Sequence, residues 1–279
     1  MTIAAPCTLP VLPILLGSSL GNHGRSRPVF IALGFIAYAA IKALAGRASE
    51  VSGAVWTIAI HNRKSRSEAE KVVREIVDRL DDQLVMLDRD ESALHGLQLR
   101  LEGRAMLDDR NLVVADVRDA DRMQQVFSEH RPEVVFHAAA LKHLPLLEMH
   151  PGEAVKTNVW GTQHVLAAAR RSGVDRFVNI STDKAAPPVR NTYALSKALM
   201  ERMFCSLSGK TETKFACVRF GNLAWSTGSV LPIWKKMHDE TGVIGTTGPE
   251  MRRFFITVDE ACEIILNALD NIDVLSGQV

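Results

Sequence analysis

Residues 176–184 read RFVNISTDK and residues 193–197 read YALSK, and together they predict a buried strand followed by the first turns of a helix. The apolar run Arg176–Ser181 is continuous rather than alternating, which is typical of a strand that is covered on both faces of a sheet. Tyr193 and Lys197 are four residues apart, so a helix places them on one face, one turn from each other. An acid, two lysines and a phenol therefore gather where a strand meets a helix.

From residue 51 onwards the chain repeats this alternation of short apolar strands and amphipathic helices, which predicts a parallel α/β sheet. The predicted strands are Ala54–Ile60, Leu84–Asp88, Leu112–Val117, Val134–Ala139, Arg176–Ser181 and Lys214–Gly221. The predicted helices are Ser67–Leu80, Glu91–Leu107, Asp121–His130, Gly152–Ser172, Thr192–Leu207 and Asp259–Leu269. We therefore expect a doubly wound parallel sheet, a Rossmann-like fold whose sites form at the carboxyl ends of the strands.

The chain divides into three parts. Residues 51–230 form the predicted Rossmann-like dinucleotide-binding domain, and residues 231–279 form a short substrate-binding portion rich in turn residues. Residues 1–50 contain two apolar runs, each shorter or more broken than the ~20 residues of a spanning helix. No basic region precedes the first run, so a signal peptide is a poor match. A membrane-associated segment, a helix packed on the domain and a disordered or mis-assigned start all stay open.

Composition excludes several classes of function. The 279 residues are 47% apolar and 23% charged, as in an ordinary globular protein, and the net charge of +1 offers no strong field for a nucleic acid. No C-x-x-C pair occurs, so we expect reduced thiols in the cytoplasm and no disulfide frame; the cysteines are Cys7, Cys205, Cys217 and Cys262. The histidines lack the spacing of metal ligands, and no metal site is predicted.

Five segments carry a family resemblance. They are VFHAAALKH (135–143), EAVKTNVWG (153–161), FVNISTDK (177–184), VRFGN (218–222) and MRRFFIT (251–257). In this order the chain resembles the extended short-chain dehydrogenases/reductases, and more narrowly the CapD-like nucleotide-sugar 4,6-dehydratases that act on UDP-N-acetylglucosamine. The resemblance covers roughly residues 84–270. It implies a role in surface-polysaccharide synthesis with NAD as cofactor.

The resemblance implies a catalytic group for each step. Tyr193 matches the base that deprotonates a sugar hydroxyl, and a nearby Lys197 ammonium is expected to lower its pKa. Once C4 is a ketone, Lys184 could remove the C5 proton while Asp183 protonates the departing C6 oxygen. Ser181 or Thr182 could polarise the C4 oxygen. Residues 185–192 form a loop one residue longer than the family's usual spacing.

Further positions match the family's cofactor contacts. Asp88 ends a strand where an acid binds the adenosine ribose and favours NAD over NADP. Small side chains are expected where the backbone approaches the dinucleotide. The matching positions are Asp88, Asp116, Ala138, Ala139, Ala140, Lys142, Asn158, Ser181, Tyr193 and Lys197.

The glycine-rich loop of dinucleotide binders is the part of the pattern that is missing. Residues 61–67 read HNRKSRS where glycines should let backbone N–H groups contact a pyrophosphate. Gly17, Gly21 and Gly24 form a spaced trio, but they lie about 70 residues before Asp88. Either the fingerprint is degenerate, or this stretch does not correspond to the family's first strand and helix.

The sugar nucleotide has its own predicted contacts. Asn222 could hydrogen-bond the diphosphate and Arg253 could contact a phosphate, while Ser229 and Val230 resemble the segment along the nucleotide. Trp225 is either a uracil platform or a packed core residue.

We expect an NAD-dependent nucleotide-sugar 4,6-dehydratase in the cytoplasm that acts on a UDP-sugar substrate and assembles as a homo-oligomer. Membrane association through residues 1–45, at the inner face of the membrane, is part of the same expectation. A nucleotide-sugar 4-epimerase would also use Tyr193 and Lys197. A non-catalytic member with impaired NAD binding fits the glycine-free loop, and a membrane-tethered partner subunit depends on the N-terminal segment.

Overall fold

A computed structural model describes residues 28–33, 55–60, 84–102, 110–224, 230–246, 248, 250 and 252–277. Several predictions fall elsewhere in the chain. The glycine-free loop 61–67, the helix Ser67–Leu80, the glycine trio, Trp225 and Ser229 lie outside the described residues, as does most of the segment 1–50.

A seven-stranded parallel sheet organises the described residues. Its strands are β1 (Pro28–Leu33), β2 (Val55–Ile60), β3 (Leu84–Asp88), β4 (Leu112–Val114), β5 (Val134–His137), β6 (Arg176–Thr182) and β7 (Lys214–Phe220). The spatial order is β4-β3-β2-β1-β5-β6-β7, and the paired strands run parallel. The order reverses its direction beside β5, as in doubly wound folds, where ligands bind at that reversal. The predicted fold class is confirmed.

The predicted strands are confirmed with small differences at their ends. β2, β3, β6 and β7 begin or end within one residue of the prediction. β4 and β5 stop earlier, at Val114 and His137, because the polypeptide turns there into the loops at the carboxyl edge of the sheet.

Strand β1 was not predicted. Its sequence PVFIAL is a continuous apolar run, as a strand in the middle of a parallel sheet requires. It pairs with β2 on one side and β5 on the other, and β2 also pairs with β5 through Trp56 and Val134. Part of the N-terminal segment 1–50 therefore belongs to the sheet, whereas the prediction began the domain at residue 51.

Helices connect the strands. They are α1 (Glu91–Glu102), α2 (Ala120–His130), α3 (Leu144–Met149), α4 (Pro151–Ala154), α5 (Gly161–Ser172), α6 (Thr192–Leu207), α7 (Val230–Thr241), α8 (Val258–Asp270) and α9 (Ile272–Leu275). The helix predicted over Gly152–Ser172 is not uniform: α4 and α5 are joined by a π-helical segment, Val155–Trp160. Helix α1 is described over Glu91–Glu102, and its predicted continuation to Leu107 lies outside the described residues. Helices α3, α7 and α9 were not predicted.

Side chains change from apolar to polar along the sheet toward its carboxyl edge. Val135, Phe177 and Phe215 are neighbours on three adjacent strands, and the Phe204 ring of α6 lies 5.0 Å from the Phe177 ring. Two residues further along each strand, the neighbours are His137, Asn179 and Cys217. Helix α6 therefore packs on an apolar layer and meets polar groups near the strand ends.

The C-terminal portion attaches to the same edge. Strands β8 (Asn222–Leu223) and β9 (Phe255–Ile256) pair in parallel, and α8 packs on β6 and β7. A β-carbon on Gly221 would lie 2.6 Å from the Phe254 carbonyl oxygen, so this close approach requires glycine. In the part of the chain that is described, none of the helices combines the length and apolarity needed to cross a bilayer.

Candidate active site

The end of β6 carries the predicted acid and base. Residues Asp183–Ala185 form a single 3-10 turn directly after Thr182, and the Thr182 Oγ1 accepts a hydrogen bond from the Lys184 backbone N–H at 3.4 Å. The Thr182 hydroxyl donates to Asp183 Oδ1 at 3.0 Å. This turn places both side chains at the carboxyl edge of the sheet.

Lys184 connects two of the predicted site residues. Its Nζ donates to Asp183 Oδ1 at 3.1 Å and to Asn222 Oδ1 at 3.0 Å. Asn222 was predicted to contact a substrate diphosphate, whereas in the structure its side chain bonds the lysine. Acid, base and amide therefore form one cluster across the ends of β6 and β7.

Helix α6 brings in the phenol. Its N-cap, Asn191, accepts a hydrogen bond from Ala194 N–H at 2.8 Å, and Glu148 of α3 accepts one from Thr192 N–H at 2.6 Å. Both bonds satisfy N–H groups that a helix N-terminus leaves unpaired. Tyr193 hydrogen-bonds Thr182, so the phenol meets the Thr182–Asp183–Lys184 turn.

Lys197 is buried and points to the sheet. Its Nζ donates to the Ile180 carbonyl at 2.6 Å, and burial lowers its pKa to about 8, an effect that nearby Cys217 and Glu201 oppose. Burial likewise raises the pKa of Tyr193 to about 12; the Thr182 hydrogen bond opposes this rise and Asp183 adds to it. The predicted lowering of the Tyr193 pKa by Lys197 is therefore wrong for this structure. Lys197 loses its proton well below the pH at which the phenol ionises.

A cleft lies at the same carboxyl edge of the sheet, at the ends of β3, β4 and β5. Four predicted cofactor residues line it: Asp88, Asp116, Ala139 and Ala140. Asp88 Oδ1 accepts a bond from Asp90 N–H at 2.9 Å, and Asp116 Oδ1 accepts one from Arg118 N–H at 2.9 Å. Both carboxylates are thereby oriented by the backbone of their own loops.

Five lining residues of the cleft were not predicted from the sequence: Leu87, Arg89, Ala115, Val117 and Thr157. Arg89 lies 3.8 Å from the Asp116 carboxylate. Because Arg89 directly follows Asp88, its place at the cleft could have been predicted. Thr157 comes from the π-helical segment, which no residue pattern indicated. Ala138 precedes the lining alanines on the same loop and is half-buried.

Asn158 hydrogen-bonds both the loop after β5, residues 138–142, and helix α6. Its Oδ1 accepts from Leu141 N–H at 2.8 Å, and its Nδ2 donates to Leu141 O at 3.1 Å and to Ser196 Oγ at 2.9 Å. The Asn158 side chain is fully buried, and its bonds to Leu141 hold this loop in position. Lys142, on the same loop, has its pKa lowered by burial.

The remaining predicted residues are spread over the edge of the site. Ser181 Oγ is buried and has no hydrogen-bond partner among the described residues. Arg253 precedes β9 by two residues and is exposed, with its Nη1 on the Arg252 carbonyl at 2.7 Å. Val230 begins α7. Within the described ranges, no group of three or more His, Cys, Asp or Glu side chains could hold a metal ion.

A parallel sheet with an acid, a phenol and two lysines at its carboxyl edge defines a Rossmann-like protein with an enzyme-like site. Residues 66–276 match the family described as polysaccharide biosynthesis protein, and the chain belongs to that family.

Curated relatives agree with this family. The chain is 39% identical over 202 residues to the probable polysaccharide biosynthesis protein EpsC of Bacillus subtilis, covering 71% of this chain and 33% of the relative. It is 35% identical to a UDP-N-acetylglucosamine 4,6-dehydratase (inverting) of Campylobacter jejuni, covering 55% of this chain and 46% of that protein. It is 33% identical to a UDP-glucose 4-epimerase of Rickettsia conorii, covering 67% and 53%. The chain thus spans between a third and about half of these relatives.

Solved structures share the fold. Pen from Bacillus thuringiensis is 31% identical with a TM-score of 0.64, over 72% of this chain and 62% of that one. DesIV, a dTDP-glucose 4,6-dehydratase from Streptomyces venezuelae solved with NAD bound, is 22% identical with a TM-score of 0.61, over 75% and 70%. These likenesses extend the Rossmann-like assignment beyond the family itself.

Proposed function

We propose that this chain is an NAD-dependent nucleotide-sugar 4,6-dehydratase that acts on a UDP-N-acetylhexosamine in surface-polysaccharide synthesis. The observation that carries the proposal is the cluster in which Lys184 bonds both Asp183 and Asn222 while Tyr193 bonds Thr182. A dehydratase needs a second base and an acid beside the phenol, and the cluster supplies both.

The residues around the cleft fit NAD. Asp88 is an acid at the end of β3, suited to a ribose diol, and Ala139 and Ala140 leave room for close approach. Ser181 Oγ is a buried hydroxyl free to bond a ligand. When bound, NAD would supply a hydride acceptor for oxidation at C4 and a hydride donor for reduction at C6.

The chain's own groups would handle the protons. Tyr193 must first lose its phenol proton to solvent; the phenolate then takes the proton of the C4 hydroxyl, and the Thr182 hydroxyl would bond the same oxygen. Lys184 must lose a proton before it can act as the base at C5. Transfer of that proton to Asp183, 3.1 Å away, would leave an amine for C5 and a carboxylic acid for the C6 oxygen. Water then leaves with the Asp183 proton. When hydride reaches C6, the Lys184 ammonium would return a proton to C5. Tyr193 releases its proton to solvent and Lys184 regains one, so the starting state is restored.

A 4-epimerase is the second candidate, because Tyr193 and Lys197 suffice for it and a UDP-glucose 4-epimerase is among the relatives. It would return hydride to C4 of a rotated ketone and leave C5 untouched. Assembly as a homo-oligomer in the cytoplasm, and membrane association through residues 1–45, stay predictions.

Incubation with UDP-N-acetylglucosamine in D2O separates the two activities. We expect deuterium at C5 and loss of the 6-hydroxyl, measured by NMR and mass spectrometry of the product. Lys184→Met should abolish C5 exchange, and Tyr193→Phe should lower turnover by about 10²–10⁴-fold. Tyr38→Phe, at the chain's other tyrosine, is the matched control. Inversion at C4 without C5 exchange would reject the dehydratase.

A further inference from the structure

A partly buried ion pair joins the catalytic helix to the sheet. Arg219 of β7 donates from Nε to Glu201 Oε1 at 2.9 Å and from Nη2 to Glu201 Oε2 at 2.6 Å. The Glu201 side chain is 3% exposed and that of Arg219 is 32% exposed. Two parallel charge-assisted bonds fix both distance and orientation, so this is a specific connection rather than a chance surface pair.

The pair lies one helical turn from Lys197. Glu201 follows Lys197 by four residues on α6, which places both side chains on the same face of the helix. Arg219 is the β7 neighbour of Ser181, and the adjacent residue Ile180 accepts the Lys197 hydrogen bond. Helix α6 is therefore held to β6 through Lys197 and to β7 through Glu201.

Glu201 is also the negative charge that acts on Lys197 at neutral pH. Cys217 on β7 and Glu201 on α6 act on this lysine, and the lysine acts on His137 of β5. Arg219 of β7 bonds Glu201, and Tyr193 lies one turn away on α6. Burial lowers the pKa of His137 to about 3 and raises that of Cys217 to about 12, so both are neutral near pH 7. Tyr193, with its pKa raised to about 12, is neutral as well.

Cys217 and Glu201 both oppose the lowering of the Lys197 pKa, but a thiol does so only as a thiolate. That leaves the Glu201 carboxylate. Arg219 offsets part of its charge, although its partly exposed guanidinium is screened by solvent.

We propose that Glu201 is a positioning residue for Lys197: its carboxylate, which Arg219 bonds from β7, lies on the same face of α6 and holds the lysine ammonium in place one turn from Tyr193. The consequence for catalysis rests on the proposed function, whereas the effect on Lys197 does not. Burial still holds the Tyr193 pKa above its usual value; a charged lysine one turn away works against that rise, and its loss makes the phenolate that removes the substrate proton harder to form.

NMR of the full chain with 13Cε-labelled lysine follows the protonation of Lys197 directly. The Lys197 resonance is assigned as the one that is missing from the Lys197→Met spectrum. The wild-type midpoint is expected at about pH 8. Glu201→Gln should lower it by about one pH unit, because the opposing charge is gone. Arg219→Gln should not lower it, since it removes a positive charge, and Cys217→Ala should leave it unchanged.

An unshifted midpoint in a folded Glu201→Gln variant would overturn the proposal. So would a fall in Arg219→Gln, which would indicate that the pair only holds the helix; this second variant also decides the case if Glu201→Gln does not fold. A fall in Cys217→Ala equal to that in Glu201→Gln would assign the role to the thiol. In the assay with UDP-N-acetylglucosamine, Glu201→Gln should move the acidic limb of kcat/KM to higher pH. Inactive wild-type protein would reject the proposed function alone, because the NMR midpoints stand independently.

Discussion

His137 shows how hydrogen bonds at single residues fix a protonation state. The Thr162 hydroxyl lies 2.6 Å from the Asn158 carbonyl and 2.8 Å from His137 Nε2. The Asn158 carbonyl can only accept, so the Thr162 hydroxyl gives it its single proton. The hydroxyl oxygen must then accept the second bond from His137 Nε2. The imidazole therefore carries its proton on Nε2. Its Nδ1 is an acceptor with no partner among the described residues, in a side chain that is fully buried.

Stability should depend on pH through this histidine. Burial, with Lys197 nearby, lowers the His137 pKa from 6.5 to about 3, so between these values the unfolded chain binds a proton that the folded chain does not. The free energy of unfolding must then fall as the pH drops below 6.5. Between about pH 7.5 and about pH 5.5, His137 should lower the free energy of unfolding by about 1.4 kcal/mol, and urea denaturation at the two pH values would measure this change.

His137→Gln tests this contribution, because glutamine retains a donor toward Thr162 but cannot be protonated. The variant should lose about 1.4 kcal/mol less than the wild type over the same pH interval. Equal losses in both proteins would mean that folded His137 takes up a proton in this range, so that its pKa would not be lowered by burial.

Among the elements, the π-helical segment between α4 and α5 differs most from the sequence prediction. The pattern of residues 152–172 predicts a helix, and it is helical throughout. No residue pattern predicts the wider π-helical turn. This turn nevertheless carries Asn158, which bonds Leu141, and Thr157, which lines the cleft. Segments of this kind often occur at functional sites.

The close contact after this segment gives a prediction for Gly161. A β-carbon there would lie 2.6 Å from Val117 Cγ2, and Val117 is a buried, β-branched residue of the cleft wall. Gly161→Ala should therefore destabilise the protein by about 1–2 kcal/mol, the overpacking cost exceeding the gain in helix propensity. Urea denaturation measures the change.

Two further variants act as controls for this contact. Gly152→Ala meets no atom within 4 Å and should be neutral or stabilising. Val117→Ala makes room for the added methyl group, so the double variant should be more stable than the sum of the single changes predicts. Strict additivity would show that Val117 is not the obstacle.

At the scale of the whole molecule, the doubly wound sheet followed from its apolar strands, because strands buried on two faces need apolar side chains throughout. Most of the predicted catalytic residues meet at one edge, since parallel strands end together. Strand β1 was missed because an apolar run of its composition also fits a membrane or helical segment. The link from Lys184 to Asn222 joins residues 38 positions apart, and only the register of β6 and β7 reveals it.

If this edge of the sheet binds NAD and uses it, calorimetric titration of the full chain with NAD should show saturable binding of one NAD per chain. Asp88→Asn should weaken it by roughly tenfold, because a charge-assisted bond to the ribose is lost. Absence of binding at millimolar NAD, in a chain that retains its fold, would contradict the claim.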